Sequence, residues 1–122
     1  MTNKITNKEI AGISVVSFDG RIVLGPETAG FRERIRALLV EHRKKIVLNM
    51  TNVTYVDSSG LGMLVGMHVS ARGQGAEMHL SNLGNKFRDV LQLTRLLTVF
   101  SVFDTEAEAI RAFRPDAESA SA

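Results

Sequence analysis

The fold is decided by residues 46–62, which read Ile46-Val-Leu-Asn-Met50-Thr-Asn-Val-Thr-Tyr-Val-Asp57-Ser58-Ser59-Gly60-Leu61-Gly62. Residues 46–50 form an apolar run with little alternation, which is typical of a strand covered on both faces. Asp57 and the two serines after it are residue types that commonly start helices. The glycine-spaced apolar pattern that follows indicates a helix. The stretch therefore predicts a buried strand, a polar junction and a helix.

The residues before this stretch predict a hairpin and a first helix. Residues 5–10 and 13–18 form two strands joined at Ala11-Gly12. We expect Asp19-Gly20 to close the second strand, and residues 21–24 to extend the ribbon or to cross the sheet edge. Gly25-Pro26-Glu27-Thr28 starts a helix, because proline is tolerated in the first turn and an acid there favours the dipole. Its predicted inward stripe is Phe31, Ile35, Leu38 and Leu39.

The residues after the junction predict three more helices and two more strands. The second helix, ending at Gly73-Gln-Gly75, has an inward stripe of Leu61, Leu64, Val65, His68 and Val69. Gly60, Gly62 and Gly66 are unfavourable in a helix interior, so we expect close approach to the sheet or to a partner. A strand at 77–80 is followed by a helix that buries Phe87, Val90 and Leu91, with Asn82 and Asn85 as turn and cap candidates before it. A further strand lies within residues 96–103. The last helix starts from Asp104-Thr105-Glu106 and buries Ala109, Ile110 and Phe113.

The predicted order is β-β-α-β-α-β-α-β-α, which defines an α/β fold. Strands that alternate with helices imply right-handed crossovers and a largely parallel sheet, here with the first strand on an antiparallel edge. We expect a single domain over residues 1–114, with a mixed sheet of four to five strands and about four helices. Pro115 ends the last helix, and residues 115–122 are expected to form a disordered tail.

Composition excludes several classes of function. The chain has 122 residues, no cysteine and a net charge of +2, which argues against thiol chemistry and against a nucleic-acid partner. The N-terminus has no apolar signal core and no apolar run approaches the length of a membrane span, so we expect a cytoplasmic protein. Arg43-Lys44-Lys45 is interpreted as a solvated helix end rather than a phosphate-binding patch. His42, His68 and His79 are scattered without ligand spacing, which argues against a metal site, and His68 is interpreted as a packing residue.

The junction itself is the candidate functional site. A serine hydrolase would need Gly-x-Ser-x-Gly, and the first glycine is absent from Val56-Asp57-Ser58-Ser59-Gly60. A phosphate-cradling loop would need a lysine after the glycines, and none follows, so the chain has no cofactor or nucleotide motif. Two interpretations remain open. Asp57 or Ser58 caps the helix, or a serine at the helix start is a phosphorylation target whose phosphate lies on favourable dipoles.

The junction and its surroundings resemble the STAS domain of bacterial anti-sigma factor antagonists (anti-anti-sigma factors). The matching elements are the strand at 46–50, the motif Val56-Asp57-Ser58-Ser59-Gly60-Leu61-Gly62 and the helix to Gly73. The element order and residues 87–97 also fit, so the resemblance covers about residues 5–113.

The resemblance implies a non-enzymatic, phosphorylation-switched binding protein. In such proteins the serine directly after the aspartate is phosphorylated, which places this role on Ser58, with Ser59 as the second candidate. The implied partners are an anti-sigma factor that is also a serine kinase of histidine-kinase-like fold, and a serine phosphatase. The implied partner-binding residues are Glu27, Asp57, Ser58, Ser59, Gly60, Leu61 and Gly62. Many members read Gly-Glu-Leu-Asp after the second strand, whereas this chain has Gly20-Arg21-Ile22-Val23, and Glu27 is the only acid within the segment from Gly20 to Glu27.

Two other classes compete with this interpretation. A constitutive structural or regulatory subunit of the same fold, such as the small partner of a lipid-transport complex, would use Ser58 only as a cap or a contact. A small enzyme using Asp57 and Ser58 is the least favoured class, because the sequence supplies neither a base nor a cofactor motif.

Overall fold

The computed structural model describes residues 4–113, with only the backbone of Lys4. Its elements are, in chain order, β1 (Lys4–Ile10), β2 (Ile13–Ile22), α1 (Pro26–Val40), β3 (Lys45–Asn49), β4 (Val53–Val56), α2 (Ser58–Gly73), β5 (Glu77–Ser81), α3 (Asn85–Leu93), a 3₁₀ turn (Leu96–Thr98), β6 (Ser101–Phe103) and α4 (Glu106–Arg111). The predicted α/β class is confirmed, and the elements follow the predicted order except for the additional strand β4, which makes six strands instead of the four to five expected. The expected tail at 115–122, and with it the domain boundary at 114, lies outside the described residues.

The sheet is mixed and largely parallel, with strands in the order β1-β2-β3-β5-β6. The β1 strand pairs antiparallel with β2 at one edge, as predicted, and the other neighbours pair in parallel. A sixth strand, β4, pairs only with the C-terminal end of β2. The sequence did not predict it, because four residues that are half-buried or exposed carry no clear alternation.

The second strand is longer than predicted. Asp19-Gly20 does not end it, because β2 continues to Ile22. Of residues 21–24, Arg21 and Ile22 extend the strand and pair with β4 rather than with β1, whereas Val23 and Leu24 lie in the connection to α1. The register shifts between Gly20 and Arg21, and the Gly20 amide donates to the Asn52 carbonyl oxygen at 3.0 Å. The irregularity is a bulge within the strand rather than a turn, and it lets β2 pair first with β3 and then with β4.

Helices cover both faces of the sheet. One face packs against α1, α2 and α3, and the other against α4, Phe103 and Phe113. The predicted stripe of α1 is confirmed, since Phe31, Ile35, Leu38 and Leu39 are all buried. The central strand β3 is covered on both faces as expected: Ile46, Val47 and Leu48 are fully buried.

Two details of the later helices were predicted wrongly. Val69 is 62% exposed, because the inward stripe of α2 continues from Leu64 through Met67 and Ala71 instead. Asn85 does not cap α3; it is the first residue of that helix, and the N-cap position is Gly84 without a side-chain hydrogen bond. The predicted turn at Asn82 is supported by its left-handed backbone, with φ of 60°.

Candidate functional site

The candidate site is the first turn of α2, which Asp57 caps. Asp57 has extended backbone angles, and its Oδ1 accepts a hydrogen bond from the Gly60 amide at 2.8 Å. Its carbonyl oxygen accepts the first bond of the helix, from the Leu61 amide, at 2.8 Å. The capping interpretation of the Asp-Ser-Ser composition is therefore confirmed for Asp57, and Ser58 is left without that role.

Gly60 holds this turn against the end of β2. The Asp57 amide donates to the Ile22 carbonyl oxygen at 3.3 Å, which joins the junction to the strand. A methyl group at Gly60 would overlap the Ile22 carbonyl oxygen and would lie 2.8 Å from its carbon. Only glycine fits at this position, so the expected close approach to the sheet is confirmed for Gly60.

Gly62 and Gly66 differ from Gly60. A Cβ atom at either position would meet nothing within 4 Å. Both glycines are exposed, so packing among residues 4–113 does not require them. The first glycine of the motif has an internal role, whereas these two face the outside.

Ser58 and Ser59 occupy the first two positions of α2 and are both exposed. Neither hydroxyl donates or accepts a hydrogen bond with any other residue in the described range 4–113. The first turn contains no acidic side chain, and a helix N-terminus presents free backbone N–H groups and a positive dipole end. The turn is therefore open to a phosphoryl group and electrostatically suited to one.

The histidines do not supply a general base to these serines. His68 lies ten residues after Ser58, about 15 Å along the helix. It is 7% exposed and packs edge-on against Phe100 with ring centroids 5.2 Å apart, which confirms its packing role. Its hydrogen bonding is not satisfied, because its buried Nδ1 has no partner among residues 4–113. Burial, aided by the charge of Arg72, holds the pKa of His68 below its ordinary value of 6.5, which favours the neutral imidazole. His79 is also buried, with Nδ1 2.9 Å from the Ala109 carbonyl oxygen.

The predicted partner-binding residues fall into three groups. Ser58, Ser59 and Gly62 are exposed together at the start of α2. Asp57 is half-buried, and Gly60 and Leu61 are buried, so these three support the turn rather than cover it. Glu27 is exposed in the first turn of α1, on a different element.

Arg21, which stands where many resembling proteins have an acid, packs on β4. Its guanidinium carbon lies 5.3 Å from the centroid of the Tyr55 ring, a cation–π contact at an exposed site. The β2–α1 connection that follows is tied down by the Val23 amide, which donates to the hydroxyl of buried Thr28 at 3.2 Å. Leu24 in this connection is 86% exposed.

Sequence reasoning missed a groove between α1 and α2. This α1–α2 groove has a volume of about 540 Å³ and runs beside Ser59, Gly62, Gly66 and Ser70 of α2 and Arg32 and Arg36 of α1. A signal for it was present in the sequence, because α2 carries no charged residue on its exposed side before Arg72. The crossing of two helices is a tertiary feature, so that signal did not identify the second wall.

The described residues contain neither a metal-ligand cluster nor a membrane-spanning helix. Between residues 4 and 113, no cluster of three or more histidine, cysteine, aspartate or glutamate side chains has the geometry to hold a metal ion. No helix in the same range is long and apolar enough to span a membrane.

Comparison with known proteins establishes the family. The STAS domain family model matches residues 4–109, so the chain belongs to the STAS domain family. The chain is 30% identical over 78 residues to an anti-sigma F factor antagonist of Paenibacillus polymyxa, and the match covers 64% of each chain, just under two thirds of that relative's length.

Solved structures agree with the fold. An anti-sigma factor antagonist from Mycobacterium paratuberculosis superposes with a TM-score of 0.82 at 24% identity, over 93% of this chain and 96% of that one. The phosphorylated form of SpoIIAA, a cell fate determinant of Bacillus, superposes with a TM-score of 0.70 at 21% identity, over 91% of this chain and 100% of that one.

Proposed function

We propose that this protein is a cytoplasmic anti-sigma factor antagonist, a binding protein without catalytic activity that is switched by phosphorylation at Ser58. Unphosphorylated, it sequesters an anti-sigma factor that is also a serine kinase of histidine-kinase-like fold. Phosphorylated, it releases that partner, and a serine phosphatase restores the binding form. The names of its relatives and its membership of the STAS family support the sigma-regulatory part of the proposal.

The observation that carries the phosphorylation site is the state of the Ser58 hydroxyl. It is exposed at the first position of α2 and is not engaged by any residue between 4 and 113, because Asp57 already caps the helix. A kinase can therefore reach Ser58 without dismantling the cap. Transfer joins Ser58 Oγ to the γ-phosphorus of ATP, breaks the bond to ADP and passes the hydroxyl proton to a base of the kinase. Ser59 is the second candidate, since it is exposed in the same turn.

The charge of a phosphate explains the switch. Phosphorylation adds a charge of about −1.5 to −2. At an exposed helix N-terminus that charge is favourable by roughly 0.3–1 kcal/mol, so the fold tolerates it. Leaving a charged group buried and unpaired in an interface costs roughly 2–5 kcal/mol. The interface effect is larger, and each 1.4 kcal/mol or so changes affinity tenfold. Phosphorylation should therefore abolish partner binding without unfolding the protein.

The experiment uses the chain with the histidine-kinase-like serine kinase encoded nearest to it. After incubation with ATP, intact mass and peptide mapping should find one phosphate on the peptide containing Ser58. In a binding assay Ser58→Ala should bind the kinase regardless of ATP, and Ser58→Glu should bind at least about thirtyfold more weakly than wild type.

Matched controls separate site from charge. Ser101→Glu adds the same charge at an exposed serine of β6 and should leave affinity unchanged. Phosphate found only on Ser59 would assign the phosphorylation site to Ser59 instead of Ser58. Equal affinity of wild type and Ser58→Glu would contradict the mechanism and favour the constitutive subunit of a larger complex.

A further inference from the structure

The α1–α2 groove has an apolar floor beneath open walls. Ile35 and Leu39 of α1 and Met67 of α2 form its base and are nearly fully buried, with half-buried Met63 above them. Methionine is unbranched and polarisable, so such a floor adapts to different apolar side chains. The groove begins at Ser59, in the same turn as Ser58, and is therefore continuous with the candidate site.

The wall formed by α1 is positively charged and unpaired. Arg32 and Arg36 lie one turn apart, are exposed, and form no ion pair or side-chain hydrogen bond with any residue in the range 4–113. Two arginines elsewhere are engaged: Arg43 pairs with Glu9 at 3.3 Å and Arg88 with Asp104 at 3.2 Å. No acidic residue lines the groove. The groove is thus complementary to an acidic ligand.

The wall formed by α2 is kept small without an internal reason. Glycine in a helix interior is about 1 kcal/mol less favourable than alanine, yet Gly62 and Gly66 have open space where a side chain would stand. With Ser59 and Ser70 they leave this wall free of bulky side chains. A surface of this kind lets the backbone of a second element approach closely.

We propose that the α1–α2 groove receives an amphipathic helix of the partner protein, with apolar side chains on the floor and acidic side chains facing Arg32 and Arg36. This inference rests on the proposed function, since it names how the partner is recognised beyond Ser58. From Ser59 to Ser70 the groove is about 16 Å long, or three helical turns. That length accommodates apolar anchors at positions i, i+4 and i+7 of a docked helix.

A second copy of this chain fits the groove less well. The amphipathic helices α1, α2 and α3 of the described chain already bury their apolar stripes in their own core. Docking one of them on another copy would expose that core. The occupant is therefore a helix from a different protein.

The test uses two probes on the full chain: a phage-displayed library of random 16-residue peptides, and the kinase described above. Selected peptides should be amphipathic and acidic on one flank. Arg32→Glu combined with Arg36→Glu should weaken both probes about tenfold, because two ion pairs are lost. The charge-matched control, Arg34→Glu with Arg111→Glu, changes exposed arginines outside the groove and should leave affinity unchanged.

Substitutions on the wall formed by α2 give an independent test of the groove. Gly66→Leu should block both probes while thermal stability stays equal or rises, because the position is open. Gly73→Leu, also open but outside the groove, is its control.

The outcomes separate the two proposals. Kinase binding that is lost with Ser58→Glu but unchanged by the arginine and Gly66 variants overturns the groove and leaves the switch standing. Binding that is weakened by the groove variants but not by Ser58→Glu supports the groove and overturns the switch. Selected peptides that lack acids, or concentration-dependent dimerisation abolished by Gly66→Leu, would overturn the assignment of an acidic partner helix.

Discussion

Helices α2 and α4 both begin with a side-chain cap, and they differ in the three residues that follow it. In α4, Thr105 accepts from the Glu108 amide at 3.1 Å and Glu108 accepts from the Thr105 amide at 3.2 Å, which closes a capping box. In α2 the equivalent third position is Gly60, and the first two positions are serines without partners among residues 4–113.

The difference shows how one local motif serves two purposes. At the start of α4, Glu106 is bound by Lys8 at 3.1 Å and by Asn49 at 2.9 Å, so the turn is saturated with acids that already have partners. A phosphate there would meet two carboxylates. At the start of α2 the first turn contains no acidic side chain, and the adjacent carboxylate is that of the cap Asp57, whose Oδ1 is bound by the Gly60 amide. Of these two helix starts, only the first turn of α2 is suited to receive a new negative charge.

The largest effect is expected at Gly60. Gly60→Ala should lower the free energy of unfolding by at least about 3 kcal/mol, because its methyl group overlaps a backbone carbonyl that cannot move away cheaply. Urea denaturation monitored by circular dichroism measures the change in the free energy of unfolding. Gly62→Ala, two residues on, should instead stabilise by up to about 1 kcal/mol. Similar stabilities for the two variants would mean that α2 does not depend on its contact with β2.

The caps should have intermediate and similar effects. Asp57→Ala and Thr105→Ala should each lower the free energy of unfolding by about 1 kcal/mol, because each leaves a helix amide without its acceptor. Asp57→Asn keeps an acceptor oxygen and should retain most of the stability. Chemical denaturation of all three decides this. If Thr105→Ala lowered the free energy of unfolding and Asp57→Ala did not, α2 would be stabilised by the contact of Gly60 with β2 rather than by its cap.

A charge placed at Ser58 should have a smaller and opposite effect. Ser58→Glu should raise the free energy of unfolding by roughly 0.3–1 kcal/mol, because a carboxylate at a first turn without acids interacts favourably with the dipole. The first position of α4 already carries Glu106, so the comparison there is Ala107→Glu at the second position, where Glu106 and Glu108 should cancel the gain. Thermal unfolding at low ionic strength measures both. Destabilisation by Ser58→Glu would mean that loss of partner binding reflects unfolding.

The smallest effect on stability is expected from lowering the pH. Burial raises the pKa of Glu106, but hydrogen bonding by Asn49 and Lys8 and the charge of Lys8 outweigh it, so the pKa lies below its ordinary value of 4.5. Since the folded state binds the proton less readily, the stability from this group is present above pH 4.5 and is lost as the pH falls from 4.5 toward the folded pKa. When the free energy of unfolding is measured across that pH window, it should decline less steeply with falling pH in Glu106→Gln than in the wild type. An unchanged decline would mean that other carboxylates account for it.

Sequence reasoning predicted the fold class, the element order apart from β4, and the residues at the junction. It succeeded where the signal is local or periodic, as in the α1 stripe from Phe31 to Leu39, the cap at Asp57 and the helix start at residues 104–106. It failed at β4 and at Asp19-Gly20, because a short exposed strand and a bulge are stabilised by pairing with distant residues. It misplaced Val69, since the outer boundary of a helical stripe depends on which neighbour packs there.

The sequence by itself determined that a helix starts after a buried strand, that an aspartate precedes two serines there, and that glycines follow. These are matters of chain-local hydrogen bonding and periodicity, which a single segment contains. Only the tertiary structure decided that Gly60 is required by the Ile22 carbonyl while Gly62 and Gly66 are not, and that unpaired Arg32 and Arg36 face them across a groove. The reason is physical: steric exclusion and charge complementarity arise between segments far apart in the chain, and packing brings them together.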